Sequence, residues 1–486
     1  MTLIFSNNGN SADSQSNPVQ TRVRRRGVRR FRSTLALTTA GLVTFTGCAA
    51  SSQAASTDTA TSTADTAVST TQSAALVAET DTGDADTASA EATEVDLFDS
   101  SVVHAIEVDF DQADYDTMIA TFSATSDKEW ISATITIDGT TYEDVGLRLK
   151  GNSSLFDLTA ETSGNPEDLP WLIRLNKFID GEDHQDYEEI VIRSNSTETS
   201  LNEAVAQELL ASIGLAAQSP IATAFTVNGN ETELRLAVEN PDEEWYEDNF
   251  SNEDGLLYKA DSDGDYSYRG DDPDAYTDIF DQKVGEDDLA PLIDFLDFIN
   301  NSDDETFAGE LGEHLDVDAF ATYLAFQDLI GNADDINGRG NNSYLQYDTG
   351  TGQFTVVSWD LNLAFATANV TGGGAGGGSS QGGGAGGGRP AGDHPVLAGD
   401  DLDGGAGGPG DQANVLVDRF MADADFAALY AARTAELTET LFTSGTVDEV
   451  IAKWADVLIN DSADLVSEET VAADVAALIS YVDGVR

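Results

Sequence analysis

Apolar and polar residues alternate along 104–110 (HAIEVDF) and 130–137 (WISATITI), the two-residue period of half-buried β-strands. The second run meets 141–151 through Asp138-Gly139, a dipeptide that closes tight hairpins because both residues tolerate positive φ. Further strands are expected over 171–176 and 190–192, giving a small β-rich N-terminal lobe. The period then lengthens. Ser200-Leu201-Asn202-Glu203 fits a capping box, and Leu201, Val205, Leu209 and Leu210 share one helical face, which predicts a helix over 201–212 closed by Gly214. Residues 221–239 return to strands around Asn228-Gly229. Past Tyr258 the pattern predicts helices over 288–300, 303–315 and 317–330, so the second half reads as a helical lobe. Helices are expected again over 414–486, with Phe420, Phe426, Leu429 and Tyr430 packing back onto that lobe.

Three stretches lack this periodicity. Residues 22–32 hold seven arginines, 34–45 form a short apolar run, and Thr46-Gly47-Cys48 follows, in the order of a secretory signal. The apolar run is too short to span a bilayer as a stable helix. Small residues before the single cysteine resemble a bacterial lipoprotein box, so residues 1–47 are expected to be removed and Cys48 lipidated. The protein would then be extracytoplasmic and membrane-anchored. Residues 48–98, rich in Ser, Thr, Ala and Asp, have too few large apolar side chains to fold and read as a stalk. Residues 371–412, with runs such as GGGAGGGSSQGGGAGGG, read as a disordered insertion between a core at 99–370 and a helical part at 413–486.

Charge narrows the partners. The chain has 88 acidic and 23 basic residues, a formal net charge of −65; without residues 1–47 the balance is 87 against 16. Such a surface repels nucleic acid and anionic head groups, and suits a salty medium, divalent cations or a basic protein substrate. One cysteine excludes a disulfide framework.

The candidate chemistry lies in 329–365, LIGNADDINGRGNNSYLQYDTGTGQFTVVSWDLNLAF. Asp334 and Asp335, then Asn342, then Asp360 after a strand-turn-strand pattern are the hard oxygen donors of a magnesium-nucleotide site. Their order matches a kinase-type site, with one carboxylate near the acceptor hydroxyl followed by a carboxamide and a carboxylate on the metal. The same residue types are also ordinary in hairpin turns. Asp261, Asp263 and Asp265 imitate the start of a calcium loop, but Tyr266 and Asp272 stand where such a loop needs Gly and Glu. His104, His184, His314 and His394 show no ligand spacing.

GLRLKGNSS (146–154), KFIDG (177–181), GLLYKAD (255–261), LDVDAFATYLAF (315–326), GNADD (331–335), NNSYL (341–345) and SWDLNLAF (358–365) occur in one order. Together they resemble the spore-coat protein H (CotH) kinase family, from about Val102 to the C-terminus. The resemblance implies an α+β, bilobal, atypical protein-kinase-like fold that uses ATP and Mg²⁺ or Mn²⁺ to phosphorylate Ser or Thr of an exported protein. It implies that Asp334 is catalytic, with Asp335 its competitor, and that Asn342 and Asp360 bind metal. Lys150, Arg174 and Glu203 are nucleotide-site candidates, Glu203 as the partner of a phosphate-binding base. Two positions depart from the family pattern: Leu169 stands where a lysine is common, and Asn362 replaces the last Asp of WDLD. The alternatives are another ATP-dependent transfer such as adenylylation, or an inactive adhesion or assembly module.

Overall fold

A computed structural model of the chain describes residues 95–151, 153–155, 158–159, 163–252, 254–261, 265–332, 334–336, 342–365 and 414–486. The signal segment, Cys48, nearly all of the stalk, the glycine-rich insertion and Asp263 lie outside them.

The early alternation closes into a barrel. β1 (Val103–Phe110) buries His104, Ile106 and Val108 and turns Ala105, Glu107 and Asp109 outward. It pairs antiparallel with β2 (Ile131–Ile137), and the order continues through β3 (Thr140–Leu149), β4 (Trp171–Arg174), β5 (Glu189–Ile192), β7 (Glu233–Glu239) and β6 (Pro220–Val227). Parallel pairing of β6 with β1 closes the seven-stranded ring. Both predicted hairpin turns take the left-handed pair they need: φ is 47° and 86° at Asp138 and Gly139, and 50° and 67° at Asn228 and Gly229.

The helix α2 (Leu201–Ser212) has the expected bounds but not the expected exposure. Asn202, Glu203, Ala204, Ala206 and Gln207 are buried along with the apolar face, because α2 touches the barrel, a C-terminal helix and the segment after Asp360. The capping box does not form. Ser200 is left-handed, its side chain makes no cap bond, and Glu203 turns instead to a guanidinium, a charge-assisted pairing stronger than a neutral cap. Helix α1 (Gln112–Thr125) was not expected, although Tyr115, Met118 and Ile119 have helical spacing and Asp111 caps it through Ala113 N.

The second half is not purely helical. A sheet ordered β11-β10-β8-β9 joins β8 (Leu256–Ala260), β9 (Phe280–Val284), β10 (Ser343–Asp348) and β11 (Gln353–Ser358). It shares one core with α4 (Ala290–Asn301), α5 (Asp304–His314) and α6 (Val317–Leu329). Short α3 (Glu243–Asn249) precedes this sheet. After the insertion come α7 (Val415–Ala422), α8 (Ala424–Leu437), α9 (Thr446–Asp461) and α10 (Glu468–Val485). Phe420 and Phe426 stack at 4.8 Å between centroids and join the same core, with Leu429 and Tyr430 against it, as expected. The mixed α+β class is therefore observed, with a barrel and a second sheet as its β components.

One buried polar group ties the barrel to the segment before it. His104 Nδ1 lies 2.6 Å from Asp138 Oδ2 and Nε2 lies 3.1 Å from the Asp99 carbonyl. Both partners are acceptors, so both ring nitrogens must donate and the ring is an imidazolium. Burial opposes that charge, but the Asp138 carboxylate outweighs it and raises the pKa above 6.5. A raised folded-state pKa gives stability that is complete below the unfolded value and is lost as pH rises through the folded one. Wild type should therefore exceed His104→Gln by about 1–3 kcal/mol near pH 6, and by less near pH 9. Urea unfolding of both proteins at the two pH values measures this; an equal difference at both would show a neutral ring.

Candidate functional site

Arg193 follows β5 at the barrel end and is 8% exposed. Its Nε lies 3.0 Å from Glu203 Oε1 on α2, and its Nη2 pairs with Asp360 Oδ1 just past β11. Burial works against this guanidinium, but Asp360 and then Glu203 outweigh it and hold its pKa above the ordinary value. For Glu203, 2% exposed, burial wins over the pull of Arg193 and its pKa is raised. Trp359 floors the group, with Lys150 Nζ 5.0 Å and Arg193 Cζ 5.6 Å from its ring centre.

Two lysines face the same place. Lys150, at the end of β3, donates to Asn240 Oδ1 at 2.7 Å, and burial pushes its pKa down to about 7. Glu189 offsets that shift in part, while Lys283, Arg148 and Arg193 add to it. Lys259 on β8 has its pKa lowered to about 8 by burial, against the pull of Asp360, Asp261 and Asp334. Beyond Cys48 the chain has 16 basic residues against 87 acidic. Gathering several partly desolvated cations around Trp359-Asp360 therefore runs against composition, and leaves a point that favours an added polyanion.

The sequence-predicted residues divide between this group and its edges. Asp360 is in it, left-handed at φ 63°. Glu203 is in it too, paired with Arg193, and Lys150 stands over the same tryptophan. Asn342 lies opposite Trp359 across the β10–β11 ladder, its carbonyl accepting from Trp359 N at 3.3 Å. Asp334 is half-buried and acts on Lys259 together with Asp360. Asp335 is 7% exposed and acts on the buried phenol of Tyr323, so the two aspartates face different surroundings. Arg174 is held by Glu189 at 3.3 Å and by Asn176 at 2.9 Å, outside the Arg193 group. Leu169 is buried in the barrel core; the cations that act on Asp360 are Arg193 and Lys259, with Lys150 over the neighbouring Trp359 ring. Arg193, Lys259 and Trp359 were missed as site residues. The only signal for Arg193 was a lone charge directly after the apolar run Ile190–Ile192.

Buried bonds join the segments bearing Asp334 and Asp360. Gln327 Nε2 donates to Ser358 Oγ at 2.7 Å, Asn332 Nδ2 donates to Gln327 Oε1 at 2.9 Å, and Phe365 N donates to the Ile330 carbonyl at 2.6 Å. Tyr481 of α10 donates to the Leu329 carbonyl at 3.2 Å and packs edge-on against Phe365.

Among the described residues no three His, Cys, Asp or Glu side chains form a self-sufficient cation cage. Magnesium in nucleotide sites takes one or two protein oxygens and completes its shell with phosphate and water. Asp360 fits that requirement, since the pairing with Arg193 uses only Oδ1; Asn342 is held across the ladder from Trp359 by its backbone carbonyl.

Residues 147–469 match the family described as CotH kinase protein. The chain belongs to the CotH kinase protein family. The match starts inside β3, later than the expected Val102, and leaves β1, α1 and β2 outside it. No curated protein matches the chain. A solved structure it is similar to is the Helicobacter pylori proinflammatory kinase CtkA, at 15% identity and a TM-score of 0.19 over 36% of this chain. The match spans about half of that structure, 51%. That likeness is too slight to carry a fold. Family membership implies an atypical kinase and, in general terms, ATP, a divalent metal and a protein substrate.

Removing one member of a buried ion pair strands its partner. Arg193→Ala should destabilise the protein by about 3–5 kcal/mol, because the buried Glu203 carboxyl is left without its counter-ion. Adding Glu203→Gln to it should restore part of that loss, the signature of direct coupling. Denaturant melts of the two single variants and the double variant check this; additive effects would mean that the pair is not coupled.

Proposed function

We propose that this CotH-family chain is an atypical protein kinase with a bilobal kinase-like arrangement, transferring the γ-phosphate of ATP to Ser or Thr of an exported protein. The observation that carries the reading is that, in so acidic a chain, Arg193 pairs with Asp360, Lys259 lies within electrostatic reach of Asp360, and Lys150 shares the Trp359 ring with Arg193. Arg193, oriented by Glu203, and the two lysines hold the phosphates; Asp360 and Asn342 hold the metal. When bound, the metal neutralises phosphate charge and orients the transferred group. Asp334 accepts the proton of the acceptor hydroxyl as its oxygen attacks phosphorus; the bond to the bridging oxygen breaks and ADP leaves. Lys259, within electrostatic reach of both Asp334 and Asp360, lies where charge crosses from donor to acceptor.

Asp360→Ala should lose metal-dependent ATP binding as well as turnover, since phosphate charge is no longer compensated. Asp334→Asn should keep ATP binding while transfer falls about a hundredfold or more. Calorimetric titration with ATP and magnesium or manganese, together with product analysis, reads both. Normal turnover in Asp360→Ala would remove the site assignment. Release of pyrophosphate with AMP on the target would make the enzyme an adenylyltransferase, and neither product would make it an inactive assembly module.

The extracytoplasmic location belongs to the same proposal and rests on sequence. Basic run, apolar run and Thr46-Gly47-Cys48 stand in export order, so Cys48 is the lipidated mature N-terminus. Cys48→Ala should block processing or release the protein from the membrane fraction. Membrane retention of that variant, with no acyl group on wild-type Cys48 by mass spectrometry, would overturn it.

A further inference from the structure

Most basic side chains on this surface are matched with carboxylates: Arg269 with Asp265, Lys283 with Asp281, Arg433 with Asp318 and Glu436, Lys453 with Glu208, Arg486 with Asp448. Outside the candidate site three are not. Arg148 and Lys177 sit over one indole, Trp130, and Lys128 lies within electrostatic reach of Arg148; none of these three forms a direct ion pair among the described residues. Arg148 Cζ lies 4.9 Å and Lys177 Nζ 5.0 Å from the Trp130 ring centre. Burial lowers the pKa of Lys128, with Arg148 adding repulsion; burial lowers that of Arg148 as well. The Arg148 Nε is buried without a hydrogen-bond partner. Asp261 acts on Lys128, and Glu189 and Asp281 on Arg148, only through space; where acidic residues outnumber basic ones 87 to 16 beyond Cys48, three cations with no carboxylate in direct contact need a reason.

The arrangement is built rather than splayed. A Cβ added at Gly146 would fall 2.4 Å from Lys177 Cβ and 3.0 Å from Trp130 Cε3, so this glycine admits the lysine stem and the indole together. Directly after Lys177, Phe178 and Ile179 are 50% and 42% exposed. The patch thus offers an unpaired cationic cradle with an apolar pair at its rim. It borders the candidate site: Arg148 is two residues before Lys150 on the same chain run, and Asp261, which acts on Lys128, also acts on Lys259.

We propose that Lys128, Arg148, Lys177 and Trp130, rimmed by Phe178 and Ile179, dock an acidic, partly apolar segment of the acceptor protein beside the phosphorylated hydroxyl. The identity of that partner as an acceptor rests on the kinase reading. Charge complementarity selects the acidic segment: the patch reverses the sign of the rest of the surface, so it retains carboxylates that the remainder repels. Two cations already lie within 5.0 Å of the indole centre, which crowds the ring against a stacking nucleobase. A membrane surface is disfavoured because the surrounding negative charge repels anionic head groups.

The test is fluorescence anisotropy on the full chain without nucleotide. The probes are a labelled Ser-containing peptide with flanking Asp and Glu and one Leu, its Asn/Gln counterpart, and phosphatidylglycerol vesicles. The acidic peptide should bind about tenfold tighter than its counterpart and weaken as salt rises. Lys177→Glu, which keeps the stem over Gly146, and Lys128→Gln should each weaken binding several-fold. Equal binding of both peptides, variants that bind like wild type, or capture by vesicles alone would each overturn the proposal. Binding is read without phosphate transfer, so loss of docking with ADP release intact sinks this inference alone. Docking without transfer to any acceptor sinks the kinase reading instead.

Discussion

The arrangement of the candidate site depends on one guanidinium shared by two carboxylates. Arg193 comes from the barrel, Glu203 from α2 and Asp360 from the segment after β11. Each group alone would pay heavily for its burial; together they are tolerated because the positive charge lies between two negative ones. The triad therefore fixes where α2 meets the barrel end, and where the chain can turn after β11. Asp360 is left-handed there, a conformation unfavourable for most side chains but more open to Asp. The surrounding core, in which Leu172, Val191, Leu201, Val205 and Leu361 share one cluster, keeps water from screening the pairings.

A second set of constraints carries that position to Asp334. Gln327 at the end of α6 donates to Ser358 and accepts from Asn332, and Ile330 receives Phe365 N. These bonds are buried and specific, so the two acidic segments move as one unit or not at all. Ser358 precedes Trp359-Asp360, and Asn332 precedes Asp334 by two residues. The spacing between the Asp334 and Asp360 segments is thus set by amides that carry no charge and would leave no mark in a search for catalytic residue types.

This explains what was legible in the sequence. The strand periods, the Asp138-Gly139 and Asn228-Gly229 turns and the bounds of α2 were readable because alternation and turn chemistry are local properties. The β8–β9 part of the second sheet was not, since its members stand far apart in sequence and only tertiary pairing reveals them. Among site residues, Asp334, Asn342, Asp360 and Glu203 could be named from order and resemblance. Arg193 could not, because a lone arginine after three apolar residues reads equally as the end of a strand. The capping box at Ser200 misled for a related reason: Glu203 had two possible partners, and the distant one won because it is charged and buried.

Charge supplies the last step. An acidic protein that binds nucleotide must suppress its own field locally, and a few cations do so only where low dielectric strengthens them. Burial lowers the pKa values of Lys150 and Lys259 to about 7 and about 8, so these groups sit near the limit of holding their protons in the free protein. On the proposed kinase reading, an arriving triphosphate would restore the charged forms, so that binding and protonation reinforce each other. Arg193 differs because a guanidinium stays protonated at any physiological pH, and its two carboxylates raise its pKa further. The group therefore combines one permanent cation that organises structure with two lysines whose charge depends on their surroundings. That division follows from where carboxylates stand: Arg193 has them in direct contact, whereas Lys150 is bonded to the neutral amide of Asn240.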